Sequence, residues 1–160
     1  MRIASSAFEQ GQPIPRRFTE DGENLSPPLE WTDLPPKTQE FALIVDDPDA
    51  PTTDPWVHWL LYNIPMGVVQ LPEGMDRNPT TNDPVAGLHQ GRNSWNANNV
   101  GYRGPSPPKG SGTHHYHFRI YALNRPLNLA PLVQKGSLEA AFKKVQVLAQ
   151  AELMGTYERA

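Results

Sequence analysis

Three segments of the chain carry patterned apolar residues that read as strands. Residues 40–46 run through Phe41, Ala42, Leu43, Ile44 and Val45, apolar on both alternating faces, as a strand covered on both sides requires. Residues 57–64 form a second such run, and residues 116–123 alternate cleanly. In the third, Tyr116, Phe118, Ile120 and Ala122 share one face while His115, His117, Arg119 and Tyr121 share the other. After Gly136 and a candidate N-cap at Ser137 the period changes. Leu138, Ala141, Phe142, Val145, Leu148, Ala149 and Leu153 make one apolar stripe, with Glu139, Lys143, Lys144, Gln146 and Gln150 opposite. This predicts a C-terminal amphipathic helix running through Leu153 and stopped at Gly155, with residues 156–159 closing as a short edge strand.

Between these elements the chain is punctuated. Prolines at 13, 15, 27, 28, 35 and 36 restrict residues 11–36 to short strands at sheet edges. Residues 65–113 are rich in Gly, Asn and Pro, with room for one or two short strands near Val69 or Val85. The 18 prolines and 12 glycines argue for many fixed turns and against a helical bundle. The expected architecture is mostly β: one domain over residues 1–160, a Greek-key β-sandwich with the C-terminal helix packed outside.

The formal net charge of −3 offers no general polyanion-binding surface, so nucleic acid is not an expected partner. With no cysteine, disulfides and thiol chemistry are excluded. The apolar runs are far too short to span a bilayer, so no stable membrane insertion is expected. Residues 1–10 lack the apolar stretch of a secretion signal, which makes the cytoplasm the expected location.

Candidate chemistry sits in three segments. Asp47 follows Phe41, Leu43 and Val45 on an apolar face, where a carboxylate needs a donor; Pro48 and Pro51 stiffen the turn that also holds Asp49. The plainer reading is an Asx turn with solvated carboxylates. His58 interrupts an apolar strand joined to the Asp47 strand by a short connection, so carboxylate and imidazole could meet across the sheet; the plainer reading is a satisfied core histidine. In the third segment a Gly- and Pro-rich loop, residues 101–113, leads into His114 and Tyr116, which project to one side. Imidazole and phenol both donate hydrogen bonds, which suits an oxyanion; the plainer reading is a proline-rich turn before an ordinary strand.

Two rival chemistries draw on the same residues. His114, His115 and His117 resemble a metal cluster, but strand alternation sends His115 and His117 away from His114. A hydrolase could use an Asp–His pair with Ser106 or Ser111 as nucleophile, yet no Gly-x-Ser-x-Gly elbow is present and Ser106 lies between two prolines. An acid–base pair without a clear nucleophile points to a receptor for a small anion.

Taken together, the segments resemble the phosphatidylethanolamine-binding protein family, in its small prokaryotic, Raf-kinase-inhibitor-like branch. The resemblance spans nearly the whole chain. It rests on Ser26-Pro27-Pro28-Leu29-Glu30-Trp31, on Asp47-Pro48-Asp49-Ala50-Pro51, and on His58-Trp59. It continues through Gly104-Pro105, Pro107-Pro108, Gly110, His114 and Tyr116, and ends with Ala151-Glu152-Leu153 and Gly155-Thr156-Tyr157. It implies a Greek-key sandwich with a small cavity for phosphate, a phosphomonoester, acetate or a phospholipid head group. Asp47, His58, Pro108, His114 and Tyr116 would line that cavity, with Ala50, Pro51 and Gly104 shaping the rim. Family members include kinase-cascade and protease inhibitors, so the resemblance admits a protein partner, a kinase included. It implies no metal and no organic cofactor. It also admits a homodimer, for which Val68-Val69 or the helix stripe are candidate contacts. The chain departs from the family at Gln146, where a histidine often precedes Val-Leu-Ala.

Overall fold

A computed structural model describes all 160 residues, Met1–Ala160. Eight strands make two antiparallel sheets. The smaller sheet has the order β1-β2-β5, from β1 (Arg2–Ala4), β2 (Leu29–Thr32) and β5 (Gln70–Leu71). The larger has the order β6-β4-β3-β7-β8, from β6 (His89–Gln90), β4 (Trp56–Pro65), β3 (Glu40–Asp47), β7 (His114–Leu123) and β8 (Val147–Tyr157). The helix α1 (Lys135–Phe142) lies outside the larger sheet.

The strand at residues 40–46 is β3, at the centre of the larger sheet, and all eight of its residues are buried. Its two apolar faces serve two cores. Phe41, Leu43 and Val45 join Trp31, Trp59, Phe118 and Ile120 between the sheets, while Ala42 and Ile44 pack with Leu60, Tyr62 and Leu138 beneath α1. Full burial of each such side chain is worth about 1.5–3 kcal/mol, so both faces hold the strand in place. The alternation in β7 is as expected: Tyr116, Phe118, Ile120 and Ala122 face the inner core. The proline-rich region yields short strands, but β2 is the central strand of its sheet rather than an edge. A short strand does form beside Val69, whereas Val85 lies in a bend. Val68 and Val69 pack against the inner core, and of the apolar stripe Leu138, Phe142 and Val145 pack on the outer face while Leu153 joins the inner core.

The C-terminal helix is much shorter than the apolar stripe predicts. It ends at Phe142, and residues 147–157 form β8, the longest strand. Spacing explains the misreading, since an i, i+4 pair such as Ala149 and Leu153 satisfies both the helical period and alternation by two. Tertiary pairing decides. The Asn124 backbone N–H donates to the Gln146 carbonyl at 3.0 Å and the Gln146 N–H donates to Asn124 Oδ1 at 2.8 Å, which turns the chain back along β7. Pairing then runs from Leu123 opposite Val147 to His114 opposite Tyr157. Gln146 therefore sits in the connection between α1 and β8 rather than on a helix face.

Gly155 is consequently not a helix stop but a point of close approach within β8. A Cβ there would lie 2.5 Å from Ile14 Cγ1 and 2.7 Å from Phe8 Cε2, both in the core. Gly155→Ala is expected to destabilise by about 1–3 kcal/mol, the usual range for overpacking, measurable by urea unfolding.

Candidate functional site

The cavity lies where β3, β4 and β7 end on the same side. Asp47 closes β3, His58 lies near the start of β4, and His114 and Tyr116 open β7. Strict alternation would turn His58 away from its neighbour Trp59, which faces the inner core. A bulge prevents this. Val45 pairs with Trp59 and the next residue, Asp46, pairs with Val57, leaving His58 as the extra residue of β4. The bulge re-aims the imidazole inward, where its ring meets the Tyr116 ring edge-on at 5.1 Å between centroids.

The carboxylate and imidazole do pair, but through a different histidine from the one that strand adjacency suggested. Asp47 Oδ2 lies 2.6 Å from His114 Nδ1, with both side chains 3–4% exposed. His58 is instead tied to the loop. Its Nδ1 donates to the Arg103 carbonyl at 2.6 Å, while its own carbonyl accepts from the Arg103 N–H at 3.1 Å. The other carboxylate oxygen of Asp47 accepts from the Asp49 N–H at 2.8 Å. The Asx turn is therefore present, but its carboxylate is buried rather than solvated. Asp49 Oδ2 in turn accepts from the His115 backbone and ring nitrogens at 2.8 and 2.7 Å, locking the turn onto β7.

A cavity of about 220 Å³ is walled by Asp47, Ala50, Pro51, Thr52, Trp56, His58, Trp95, Ser106, Pro107, Pro108, His114 and Tyr116. Seven of the eight positions expected from the sequence thus converge. The exception is Gly104, which sits behind the wall. Its N–H donates to Asn24 Oδ1 at 2.8 Å, and a Cβ would clash with the Phe18 carbonyl oxygen. The aromatic wall of Trp56 and Trp95 was not anticipated. Trp56 precedes the His58 strand, but Trp95 lies in the long irregular segment, where no periodicity marks it.

His58 Nε2 and Tyr116 Oη make no hydrogen bond within the chain, although these residues are only 3% and 1% exposed. Burial pushes the His58 pKa below its ordinary value, opposed by the bond to the Arg103 carbonyl and by the charge of Asp47. Burial, followed by the nearby Asp47 charge, pushes the Tyr116 phenol well above its ordinary value, so it remains a neutral donor. His114 differs, because its second nitrogen, Nε2, already lies 3.0 Å from Ser111 Oγ. Ser111 is exposed and also donates to the Pro108 carbonyl at 2.6 Å.

A brace holds the loop that forms one wall. Arg159 Nη1 donates to the Pro107 carbonyl at 3.3 Å, the Gly110 N–H donates to the Arg159 carbonyl at 3.1 Å, and the Arg159 guanidinium grips Asp21 at 2.7 Å. The hydrogen bonds from Arg159 first and from the Tyr157 hydroxyl second hold the Asp21 carboxyl at about 2, below its ordinary 3.8. A folded-state pKa below the unfolded one adds stability above the unfolded value that is lost as pH falls. Asp21→Asn is therefore expected to lower the thermal midpoint at neutral pH, with the gap from the parent protein closing between about pH 4 and 2.

A larger polar groove of about 620 Å³ lies beside α1, lined in part by Arg92, Asn93, Gln134 and Glu139. Several of its polar groups are partnered: Arg92 donates to Asn99, Asn93 to the Gly101 carbonyl and Lys135 to Asp46. The smaller cavity, with two unpartnered polar groups on nearly buried residues, is the better built site. No helix is long and apolar enough to cross a membrane.

Comparison with known proteins agrees with this architecture. The family model for phosphatidylethanolamine-binding protein matches residues 4–158. A UPF0098 protein of Methanothermobacter thermautotrophicus is 42% identical over 159 residues, covering 99% of both chains. Among solved structures, Escherichia coli YbcL, described as a member of the mammalian family, superposes with a TM-score of 0.88 at 31% identity, covering 99% of this chain and 98% of that one. The homologue CT736 from Chlamydia trachomatis gives 0.85 at 37% identity, covering 99% and 97%. From the strand order, the walled cavity and these matches over almost its full length, the chain belongs to the phosphatidylethanolamine-binding protein family.

Proposed function

We propose that this chain is a binding protein whose cavity takes a small oxyanion: phosphate, a phosphomonoester or the phosphate of a lipid head group. The observation that carries this reading is the pair of polar atoms with no partner in the chain, His58 Nε2 and Tyr116 Oη, on nearly buried residues that line the cavity. Polar groups on such residues are ordinarily satisfied, so two left open towards a roomy cavity mark a place for a ligand. Asp47 holds His114 rather than the ligand, and Trp56, Trp95, Pro107 and Pro108 exclude water around the bound group. Through the same cavity the protein would engage a partner's phosphorylated segment, with kinase regulation as one outcome.

Calorimetric titration with inorganic phosphate and phosphoethanolamine tests this reading, and no binding of either at millimolar concentration would overturn it. Tyr116→Phe keeps the ring and removes one donor, so affinity is expected to fall about tenfold with unfolding unchanged.

The Asp47–His114–Ser111 array, with contacts of 2.6 and 3.0 Å, favours a second reading as a serine hydrolase. It ranks behind the first because Ser111 lies outside the cavity wall and its hydroxyl is engaged by Pro108. Labelling by a fluorophosphonate that is lost in Ser111→Ala would reverse that order.

A further inference from the structure

An oxyanion needs hydrogen-bond donors, and no lysine or arginine lines the cavity to supply charged ones. Arg103 is close by, but its guanidinium pairs with Glu20 at 2.7 Å and stacks 4.4 Å from the centre of the Trp95 ring. Both nitrogens of His114 are engaged, by Asp47 and Ser111.

The tautomer of His58 follows from its partner. A carbonyl oxygen can only accept, so the 2.6 Å contact with Arg103 places the proton on Nδ1. In the neutral ring, the nitrogen left unpartnered, Nε2, is therefore a lone pair. The cavity thus presents an acceptor at His58 beside the hydroxyl of Tyr116 and the carboxylate of Asp47, with the hydroxyl of Ser106 and the indoles of Trp56 and Trp95 elsewhere on its wall. A fully deprotonated oxyanion seated at His58 would meet a lone pair there, with the negative charge of Asp47 on the same wall.

We infer that the cavity binds its oxyanion together with one proton, held between a ligand oxygen and His58 Nε2. This rests on the oxyanion reading above and specifies the form in which the ligand is taken. A phosphomonoester monoanion brings the proton on its own P–OH and donates it as a hydrogen bond to Nε2. A phosphomonoester dianion, or a phosphodiester with no ionisable proton, requires one proton from solvent on binding. With the diester that proton resides on Nε2, making an imidazolium whose Nδ1–H still reaches the Arg103 carbonyl. Asp47 and Asp46 of β3 and Glu20 favour that charge. The rings of Tyr116 and Trp95, each 5.1 Å away, and the burial they impose oppose it until an anion arrives.

The test is calorimetry of the wild-type chain at about pH 8, in buffers of differing ionisation enthalpy, where His58 is neutral and a phosphomonoester is mostly the dianion, with no P–OH of its own. The two ligands are phosphoethanolamine, a monoester, and glycerophosphoethanolamine, a soluble diester head group. Each is expected to bind with uptake of about one proton, and the diester's affinity to fall about tenfold per pH unit above neutrality. If only one of the two binds, with that uptake, the source is assigned to a phosphomonoester or to the diester head group and the proposal stands. Binding without proton uptake would overturn this inference and leave the oxyanion reading intact. Binding of neither ligand would overturn both. His58→Gln, which keeps a neutral donor, is expected to abolish the proton uptake of the diester while retaining part of its affinity.

Discussion

Asp47→Ala is expected to destabilise the fold by about 3–5 kcal/mol, among the largest effects of any single substitution at the site. Asp47 is 3% exposed and accepts two hydrogen bonds, from His114 Nδ1 at 2.6 Å and from the Asp49 N–H at 2.8 Å. Removing the carboxylate strands both donors in a region that water reaches poorly, and it frees the turn that carries Ala50 and Pro51. Asp47→Asn keeps one acceptor oxygen and is expected to cost less, about 1–3 kcal/mol. Urea unfolding of the three proteins orders them. A loss below about 1 kcal/mol in Asp47→Ala would mean that the pair behaves as a solvated surface bridge.

His58→Phe is expected to have the largest effect on binding. The ring shape is kept, so the edge-on contacts with Trp95 and Tyr116 survive, but the open ring nitrogen of His58 is lost. A hydrogen bond to a charged group contributes about 1.5–3 kcal/mol, so phosphate affinity is expected to fall roughly 10- to 150-fold. The variant also leaves the Arg103 carbonyl without its 2.6 Å partner, which adds a stability cost of about 1–2 kcal/mol. Phosphate titration and thermal unfolding of the same variant separate the two effects. Unchanged phosphate affinity would remove His58 from the site.

Much of this architecture was legible before any coordinates. The faces of β3 and β7 follow from alternation alone, and the positions of Asp47, His114 and Tyr116 on those faces come with them. What escaped sequence reasoning depends on contacts between distant segments. The partner of Asp47 is set by the register of β3 against β7, segments 67 residues apart, and not by the nearer β4. The inward turn of His58 depends on a bulge that leaves no mark in an apolar run. Ala149 and Leu153 fit both periods, so only pairing with β7 and the Asn124–Gln146 bonds decide that this stretch is a strand. Trp95 reaches the cavity from an irregular loop, where residue type gives no direction.

The central claim is that His58 Nε2 and Tyr116 Oη together hold an oxyanion. A crystal structure of the protein grown with phenylphosphonate tests it most directly. The expected result is a phosphonate group inside the cavity, with oxygens at hydrogen-bonding distance, about 2.6–3.2 Å, from both atoms and the phenyl ring towards Trp56 and Trp95. A phosphonate bound in the polar groove beside α1, or a cavity holding only water at saturating ligand, would contradict it.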